Sequence, residues 1–386
     1  MKAITIEDLR RIARRRLPRM VFDYVDGGAF DELTLRANRA DFERLRFRPR
    51  VLVDVSERDL SVSLFGNRLA LPLVLAPIGL AGLVARRGEI QAARAAEASG
   101  IPFCLSTASV CSIEEVRSAT VKPFWFQLYM GKDRELARAL IDRAHAAGCS
   151  VLAFTVDVPL AGQRERDLRN GFTVPPRITV ANAFDTARRW RWARDVLLGS
   201  RITLGNVPHS PREGFLPLAR LMLRNQDASK TWREFEWVRS LWSGPLLVKG
   251  VLTVEDARLA VEHGADGVVV SNHGGRQLDG APSSISALPA IVEAVAGRAV
   301  ILLDGGIRRG QDVLKALALG AQACLIGRAF VYGLAAGGEA GVRRAIEILA
   351  GEMDTTLALL GRRSVAELDG SALEPIEPRT PMPTVG

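Results

Sequence analysis

The stretch Gly267-Val268-Val269-Val270-Ser271-Asn272-His273-Gly274-Gly275-Arg276 joins a short apolar run to a glycine-rich loop. The apolar residues predict a buried β-strand, so the polar residues that follow lie where that strand ends. A neutral histidine can accept a proton, and an arginine three residues further on can bind a carboxylate through two hydrogen bonds. Glycines let the backbone approach a ligand closely. The loop 271–280 is therefore predicted to be part of an active site.

Seven further apolar runs of this kind recur along the chain, and most are followed by a segment with helical periodicity. Parallel strands that are buried on both faces read as continuous apolar runs. Eight such units predict an α/β fold, a (β/α)8 TIM barrel rather than an open sheet. The predicted strands are 71–76, 102–105, 124–128, 151–155, 246–248, 267–270, 300–303 and 323–326, and the predicted helices include 89–99, 113–119, 134–147, 254–263 and 310–319.

We expect residues 1–386 to form one domain. It comprises an N-terminal helical region at 1–65, the barrel at 66–360 with a long insertion at 167–242 after the fourth strand, and an irregular, proline-rich tail at 374–386. The first residues contain no apolar leader, which argues against a secretory signal and for a cytoplasmic protein. The uncharged run 69–85 is interrupted by prolines, so a barrel strand explains it better than a membrane span. The four cysteines form no C-x-x-C pair and no cluster with histidine, so we expect neither disulfides nor a metal site.

Polar side chains follow nearly every predicted strand. Barrel enzymes build their active sites from residues at the C-terminal ends of the strands, so these groups are expected to surround one common mouth. In chain order they are Pro77 with the main chain to Gly79, Ser106, Gln127 with Tyr129, Thr155 with Asp157, Lys249, Ser271 with His273, Asp304 with Arg308, and Gly327 with Arg328.

The loops after the last two strands predict a phosphate site. Asp304-Gly305-Gly306-Ile307-Arg308 follows the seventh strand and Gly327-Arg328 follows the eighth. Loops at these positions commonly bind phosphate through backbone N–H groups and a helix N-terminus, and the two arginines add positive charge. A lysine at the end of the fifth strand, Lys249, can stabilise negative charge on a cofactor ring. The pattern indicates a phosphate-bearing cofactor without specifying which one.

Taken together, these residues resemble the FMN-dependent α-hydroxy-acid dehydrogenase and oxidase family, over nearly the whole chain. The segment 271–280 is the most specific part of the resemblance, and 304–308 is shared with other FMN barrels. The mandelate and quinone-linked lactate dehydrogenases of that family are the most similar in the stretches 17–24, 105–109, 126–129 and 164–168. The resemblance implies a TIM barrel, FMN as the cofactor and oxidation of a 2-hydroxy acid.

Carried over to this chain, the family pattern assigns the FMN site. The main chain of Ala76, Pro77, Ile78 and Gly79 would lie along the flavin ring. Ser106, Gln127 and Thr155 would bond the ring edge, and Lys249 would lie beside N1 and the C2 carbonyl. The ribityl chain and phosphate would be held by Ser271, Asp304, Gly305, Gly306, Arg308, Gly327 and Arg328.

The same pattern assigns the substrate side. Arg276, Arg164 and Tyr24 would bind the substrate carboxylate, and Tyr129 would meet the 2-hydroxyl. His273 would take a proton, and Asp157 would orient the imidazole and stabilise its protonated form. The chemistry is consistent with these residue types, because two arginines suit a carboxylate and histidine suits proton transfer near neutral pH.

The insertion contains most of the positive charge of the chain. Of the net +9, residues 177–233 contribute +7, from eleven Lys/Arg and four Asp/Glu. Within it, Arg188-Arg189-Trp190-Arg191-Trp192 interleaves arginine with tryptophan and precedes a short apolar patch. Two interpretations stay open: an interfacial membrane anchor, which the mandelate-type relatives carry at this position, or a lid over the active site. Nucleic acid is not expected, since no fold that binds it is recognised.

The sequence therefore predicts an FMN-dependent (S)-2-hydroxy-acid dehydrogenase that acts on L-lactate or (S)-mandelate. Electrons would pass to a quinone or another non-oxygen acceptor. The resemblance implies that Gly79 favours this over the alternative, an oxidase that produces hydrogen peroxide, because oxidases of the family tend to carry alanine at this position. A non-catalytic phosphate-binding barrel is a third interpretation. The resemblance implies a homotetramer, because members of the family tend to form tetramers. The insertion would place a cytoplasmic protein peripherally on the inner membrane.

Overall fold

Eight parallel strands form the centre of the molecule, of which the computed structural model describes residues 2–173, 177, 179–199, 202–207, 219–220 and 224–374. An antiparallel hairpin precedes them, made of β1 (Val62–Leu64) and β2 (Asn67–Leu69). The parallel strands are β3 (Leu73–Leu75), β4 (Cys104–Ser106), β5 (Trp125–Leu128), β6 (Val151–Thr155), β7 (Leu246–Val251), β8 (Gly267–Val270), β9 (Val300–Asp304) and β10 (Ala323–Ile326).

The parallel sheet closes into a barrel. Its strands are neighbours in the order β3, β10, β9, β8, β7, β6, β5, β4. A parallel bridge between Leu75 and Phe103 joins the two ends, and the amide of Leu75 donates to the carbonyl of Pro102 at 2.9 Å. The predicted TIM barrel is thereby confirmed, and all eight predicted strands are present with small shifts at their ends.

Alternate residues of each strand fill the barrel interior, because successive side chains of a strand point to opposite faces. The interior cluster combines these side chains with Leu64 and Leu69 of the hairpin. Phe65, at the turn of the hairpin, stacks edge-on against Trp125 at 6.1 Å between ring centroids. The sequence did not predict this hairpin, which closes the N-terminal end of the barrel and leaves the opposite end open. The interior side chains are Ala76, which directly follows β3, and the strand residues Val74, Cys104, Trp125, Val151, Ala153, Leu247, Val269, Leu302, Ala323 and Leu325.

Helices cover the outside of the barrel and pack on the other face of each strand. Those of the barrel are α4 (Gly88–Ala98), α5 (Ile113–Ala119), α6 (Arg134–Ala146), α11 (Val254–Glu262), α12 (Ser284–Val295), α13 (Gly310–Ala318) and α14 (Arg328–Leu359), where α14 is interrupted by non-helical backbone at Gly337 and Gly338. Three helices precede the barrel, namely α1 (Ile6–Arg16), α2 (Arg19–Asp26) and α3 (Leu33–Arg44). The insertion contributes α7 (Glu165–Arg169), α8 (Val180–Arg188), α9 (Trp190–Trp192) and α10 (Trp232–Leu241).

The N-terminal helices bring α2 to the open mouth of the barrel. Helix α1 begins at a capping box, in which the Thr5 hydroxyl accepts from the Asp8 amide at 3.1 Å and Asp8 accepts from the Thr5 amide at 3.0 Å. Its Ile6, Leu9 and Ala13 are buried on one face, as expected for an amphipathic helix. Helix α1 packs on α14, and α2 then places Tyr24 at the mouth.

The insertion surrounds the mouth as a collar, which we define as residues 179–199 and 202–207. The indole N–H of Trp192 donates to the Leu83 carbonyl at 2.8 Å. The Asn206 amide donates to the carbonyl of Ser106 at 3.2 Å and accepts from the Ile113 amide at 2.9 Å. The collar is therefore fastened to the loops after β3 and β4.

Among the helices of the described residues, none is long and apolar enough to cross a membrane. The four cysteines are buried and unpaired. The predicted irregular tail lies, from residue 375 onward, outside the described residues.

Candidate active site

The C-terminal ends of the barrel strands enclose a cavity of about 1310 Å³. It is bounded by the barrel, by α2 and by the collar, and residues from several of the predicted positions reach it. Most of the predicted site residues line this cavity: Tyr24, Ala76, Pro77, Ile78, Gly79, Tyr129, Thr155, Arg164, Lys249, His273, Arg276, Asp304, Gly305, Gly306, Arg308, Gly327 and Arg328. The structure thus brings the predicted cofactor and substrate residues to one mouth.

His273 lies between an acid and a phenol. Its Nδ1 is 3.0 Å and 3.2 Å from the two carboxylate oxygens of Asp157, and its Nε2 is 3.3 Å from the Tyr129 hydroxyl. Burial opposes ionisation of Asp157, but the charge and hydrogen bond of His273 and the charge of Lys249 hold the pKa of Asp157 below its usual value. The ionised carboxylate therefore accepts a hydrogen bond from Nδ1–H, which leaves Nε2 as the nitrogen that can take a proton.

Tyr129 is held so that its hydroxyl faces the imidazole. Its amide donates to the Thr107 hydroxyl at 3.0 Å. Burial, with the charge of Asp157, raises the pKa of Tyr129. The phenol stays protonated at neutral pH, so it can donate a hydrogen bond to a substrate oxygen.

Two arginines flank the ring of Tyr24. The guanidinium carbon of Arg276 is 4.9 Å from the ring centroid and that of Arg164 is 6.0 Å away. Burial first, and then the charge of Arg164, lower the pKa of Arg276. Two cations on one side of a buried cavity repel each other, so an anion bound between them relieves an unfavourable interaction. The pair suits a substrate carboxylate.

The hydrogen bonds around this pair leave part of each guanidinium available. Arg276 donates to the carbonyls of Tyr24 and Gly27. Arg164 donates through Nε to Asp167 at 2.8 Å. The Tyr24 hydroxyl donates to the Gly79 carbonyl at 3.1 Å, so in this structure it contacts the expected flavin side. Since a guanidinium has five N–H donors, both arginines retain donors for a ligand.

Three buried polar atoms at the strand ends have no hydrogen-bond partner within the described part of the chain: Gln127 Nε2, Thr155 Oγ1 and Asp304 Oδ1. The oxygen of the Gln127 amide is already engaged, because the Ser106 hydroxyl donates to it at 3.1 Å. Buried polar groups nearly always have a partner. These donors and acceptors on β5, β6 and β9 therefore indicate a polar ligand that covers the strand ends.

Lys249 lies beside Asp304 at these strand ends. Its ammonium donates to the Ser271 hydroxyl at 2.9 Å and pairs with Asp304 at 2.6 Å. Burial disfavours the charged form, yet the charges of Asp304 and Asp157 raise the pKa of Lys249. The ammonium is therefore a fixed positive charge in a water-poor site, as an anionic cofactor ring requires.

The phosphate loops differ in detail from the expectation. The amides of Arg308 and Arg309 donate to the Asp312 carboxylate at 2.8 Å and 2.9 Å, and the amide of Gly310 donates to Glu352 at 2.8 Å. The protein's own carboxylates thus occupy the N–H groups at the start of α13. A phosphate is left with the glycine backbone of 305–306 and the arginine side chains.

Besides its predicted role at the phosphate, Arg328 links the end of α2 to the loop after β8. It donates to the carbonyls of Val25, Gly27 and Gly274 at 2.9 Å, 2.7 Å and 2.9 Å. Burial first, and then the neighbouring charge of Arg276, lower the pKa of Arg328 to about 10. Three of its five N–H groups hold α2 against the loop after β8, residues 271–281, which we call the catalytic loop. The remaining donors can bind a phosphate.

The residues at the mouth fit FMN. The unpartnered amide and hydroxyl suit the edge of a flavin ring, the free oxygen of Asp304 suits a ribityl hydroxyl, and Arg308 and Arg328 suit the phosphate. This arrangement uses residues that the sequence assigned to the cofactor. The assignment of individual contacts to FMN stays a proposal.

Sequence reasoning missed Asp26, which organises the edge of the site. Its carboxylate accepts from Arg10 at 2.6 Å and 2.9 Å, from Arg166 at 3.2 Å and from the Tyr332 hydroxyl at 2.7 Å. Burial opposes ionisation, but these hydrogen bonds and charges lower the pKa of Asp26 to about 2. No pattern along the chain joins these residues, because their separations range from 16 to 306 positions.

Known proteins are similar to this chain over nearly its whole length. Residues 13–375 match the model of the FMN-dependent dehydrogenase family. The L-lactate dehydrogenase of Caulobacter vibrioides (strain NA1000 / CB15N) is 51% identical over 375 residues, which cover 96% of this chain and 98% of that protein. The L-lactate dehydrogenase of Xanthomonas campestris pv. campestris (strain B100) is 51% identical over 369 residues, covering 95% of each.

Solved structures of related enzymes are also similar to this chain over nearly its whole length. The crystal structure of the monotopic membrane protein (S)-mandelate dehydrogenase superposes with a TM-score of 0.94 at 42% identity, over 97% of this chain and 100% of that one. A mandelate oxidase bound to (S)-2-phenylpropionate gives 0.81 at 40% identity, over 97% and 98%. The chain belongs to the FMN-dependent dehydrogenase family and is an oxidoreductase that uses FMN.

Proposed function

We propose that this enzyme oxidises an (S)-2-hydroxy acid, with L-lactate as the first candidate, to the 2-oxo acid. The observation that carries the proposal is that His273, in contact with Asp157 and Tyr129, lines the same cavity as the pair of Arg164 and Arg276. A carboxylate held by the arginines would bring the neighbouring C2 carbon and its hydroxyl to the imidazole. A base beside a carboxylate clamp is what this reaction needs.

Each residue of the site has a separate role in this oxidation. Oxidation of the alcohol to a carbonyl releases two electrons and two protons. His273 would take one proton through Nε2, and the Asp157 carboxylate would stabilise the resulting imidazolium. Tyr129 would hold the substrate oxygen through its hydroxyl. FMN supplies the redox chemistry by accepting the two electrons and the other proton.

L-Lactate is favoured over (S)-mandelate because relatives named L-lactate dehydrogenase are 51% identical, whereas the (S)-mandelate dehydrogenase structure is 42% identical. Small residues are part of the cavity lining, including Gly79, Ala108, Ala161 and Gly162. These leave space for the methyl group of lactate and for a larger side chain. Mandelate is therefore the second candidate.

Anaerobic titration of the yellow holoenzyme tests both candidates. Bleaching of the visible flavin band by L-lactate, and not by D-lactate, is the expected result. Bleaching by (S)-mandelate alone would replace L-lactate with the second candidate. If FMN is bound and neither acid bleaches it, both substrate assignments fail and the non-catalytic interpretation gains support.

We also propose that the collar binds a membrane surface and that the acceptor is a quinone. Apolar side chains of the collar point to solvent: Phe184 is 64% exposed, Trp190 56% and Leu198 83%. Arginines accompany them, with Arg188 5.6 Å from the Phe184 ring and Arg191 5.4 Å from the Trp190 ring. Exposed aromatic and aliphatic groups mixed with arginine suit the boundary of an anionic bilayer.

The similarity to a structure described as a monotopic membrane protein supports this proposal. Part of the stretch 177–233 lies outside the described residues, so the argument rests on 179–199. Sedimentation with vesicles of phosphatidylglycerol, compared with phosphatidylcholine, tests it, and reduction of a soluble quinone under anaerobic conditions tests the acceptor. Peroxide formed at the rate of substrate oxidation in air would instead support the oxidase. The cytoplasmic face and the homotetramer stay predictions.

A further inference from the structure

Helix α3 crosses behind the catalytic loop and carries a buried amide, Asn38. Its Nδ2 donates to Asn272 Oδ1 at 2.8 Å, and Asn272 Nδ2 donates back to Asn38 Oδ1 at 2.8 Å. The two residues are 1% and 4% exposed. A reciprocal pair of hydrogen bonds between two buried amides fixes both side chains, since breaking one partner leaves the other unsatisfied.

The pair continues into the catalytic loop. Asn272 Oδ1 also accepts from the Gly275 amide at 3.0 Å, and Asn272 Nδ2 donates to the Pro282 carbonyl at 3.0 Å. His273, Gly274 and Gly275 have φ values of 58°, 66° and 73°. A left-handed conformation costs a residue with a Cβ about 1–2 kcal/mol. The Asn272 amide therefore closes the turn that holds His273 in this unfavourable conformation.

The same helix touches the phosphate loop. A Cβ on Gly306 would lie 2.0 Å from the carbonyl oxygen of Asn38, and a Cβ on Gly305 would lie 3.5 Å from both Asn272 Oδ1 and Asn38 Nδ2. The next residue, Arg39, donates to the Gly306 carbonyl and to Asp312 at 2.7 Å. One turn of α3 thus packs directly on the loops after β8 and β9.

We propose that Asn38 is a positioning residue that couples these two loops. It holds the loop that carries His273 and Arg276 in register with the glycine backbone that receives the FMN phosphate. Binding of FMN at 305–306 thereby orders the catalytic loop, and disorder of the catalytic loop weakens FMN binding. The inference rests on the proposed function only for the role of His273.

The test is Asn38→Asp. In this variant the protonation state of the new carboxyl decides whether residue 38 can form both hydrogen bonds with Asn272. A protonated carboxyl has the shape of the amide and can donate to Asn272 Oδ1, whereas an ionised one cannot. Burial raises a carboxyl pKa by up to roughly 3–5 units from its usual value of about 3.9, so the variant is compared with the wild type from about pH 5 to about pH 9. We expect FMN affinity and the rate of bleaching by L-lactate to approach the wild-type values at the acid end and to fall by about tenfold or more at the alkaline end.

Asn67→Asp is the matched control, because it makes the same change at an exposed hairpin residue. It should follow the wild type at every pH. Asn38→Ser removes the reciprocal pair without adding charge, so it should lose FMN affinity by a factor that does not vary with pH. It also serves if the aspartate variant does not fold.

Hydrogen exchange gives a readout that does not need catalysis. Addition of FMN to wild-type apoprotein should slow exchange of the amides in 271–281, and this protection should be lost in Asn38→Ser. Equal protection in the variant, or an Asn38→Asp variant that tracks the wild type in FMN affinity at each pH, would overturn the coupling. If no 2-hydroxy acid bleaches the wild type, the proposed function fails while the affinity and exchange data still decide the coupling.

Discussion

The catalytic loop 271–281 and the collar lie beside the same cavity, but the loop is irregular whereas the collar contains the helices α8 and α9. The catalytic loop is held by side chains on several elements: Asn38 and Thr34 on α3, Asp157 after β6, and Arg328 after β10. The collar is also bonded to the rest of the molecule, at Leu17, Arg19, Leu83 and Ser106, but it leaves the apolar side chains of Phe184, Trp190 and Leu198 exposed. Proton transfer needs atoms held within a fraction of an ångström, whereas contact with a lipid surface needs only exposed apolar area.

The largest effect is expected at the centre of the catalytic loop. His273→Gln removes the proton acceptor and keeps a polar side chain of similar size, so anaerobic bleaching by L-lactate should slow by about 10²–10⁴-fold. Bound FMN, measured by absorbance, should remain. His263→Gln is the control, since that histidine stacks on Trp232 at 5.1 Å and bonds Glu236 away from the cavity. A variant at 273 that bleaches at the wild-type rate would rule out His273 as the base.

Arg276→Lys tests the carboxylate clamp. Lysine keeps the charge but not the planar fork, and loss of a charge-assisted hydrogen bond costs about 1.5–3 kcal/mol. We expect kcat/KM for the hydroxy acid to fall by roughly 10–100-fold. Arg309→Lys is the matched control, because Arg309 pairs with Glu352 outside the site. A fall of equal size in both variants would contradict a specific clamp.

Asp26→Asn probes the support of the site through stability. The pKa of Asp26 is about 2 in the folded protein, whereas the usual value for an aspartate is 3.8. At a pH above 3.8 the ionised carboxylate therefore stabilises the fold by about 2 kcal/mol. This stabilisation is lost as the pH falls from about 4 to about 2. In urea titrations the variant should be less stable than the wild type at pH 7, and the difference should shrink in acid. Asp354→Asn, in a more exposed pair with Arg58, should change little; a difference that is independent of pH would contradict the linkage.

The smallest effect on chemistry is expected in the collar. Trp190→Ser removes an exposed indole, so binding to phosphatidylglycerol vesicles should weaken by about tenfold or more, given about 1.5–3 kcal/mol for a large apolar side chain. The rate of bleaching by L-lactate should not change. Val121→Ser, at an exposed residue outside the collar, is the control. Unchanged vesicle binding in Trp190→Ser would favour the lid over the membrane anchor.

The barrel and most of the residues at its mouth could be predicted from the amino-acid sequence. Apolar runs such as 267–270 are local signals, and the end of each parallel strand must face the same side, so His273, Asp304 and Lys249 could be placed together without coordinates. The loop 271–280 carried enough chemistry to indicate both a proton acceptor and a carboxylate site. The family resemblance added the cofactor.

The contacts that hold those residues in place could not be predicted, because they join residues far apart in the chain. Asn38 and Asn272 are 234 positions apart, and Asp26 and Tyr332 are 306 apart. Single buried hydrogen bonds of this kind leave no periodic pattern in the chain, unlike the burial of whole strand and helix faces. The same holds for the hairpin that closes the barrel and for Asp312, which occupies the amides expected to meet phosphate. The burial of strand and helix faces leaves a periodic pattern of apolar residues in the sequence, whereas polar contacts between distant loops form only when the chain folds.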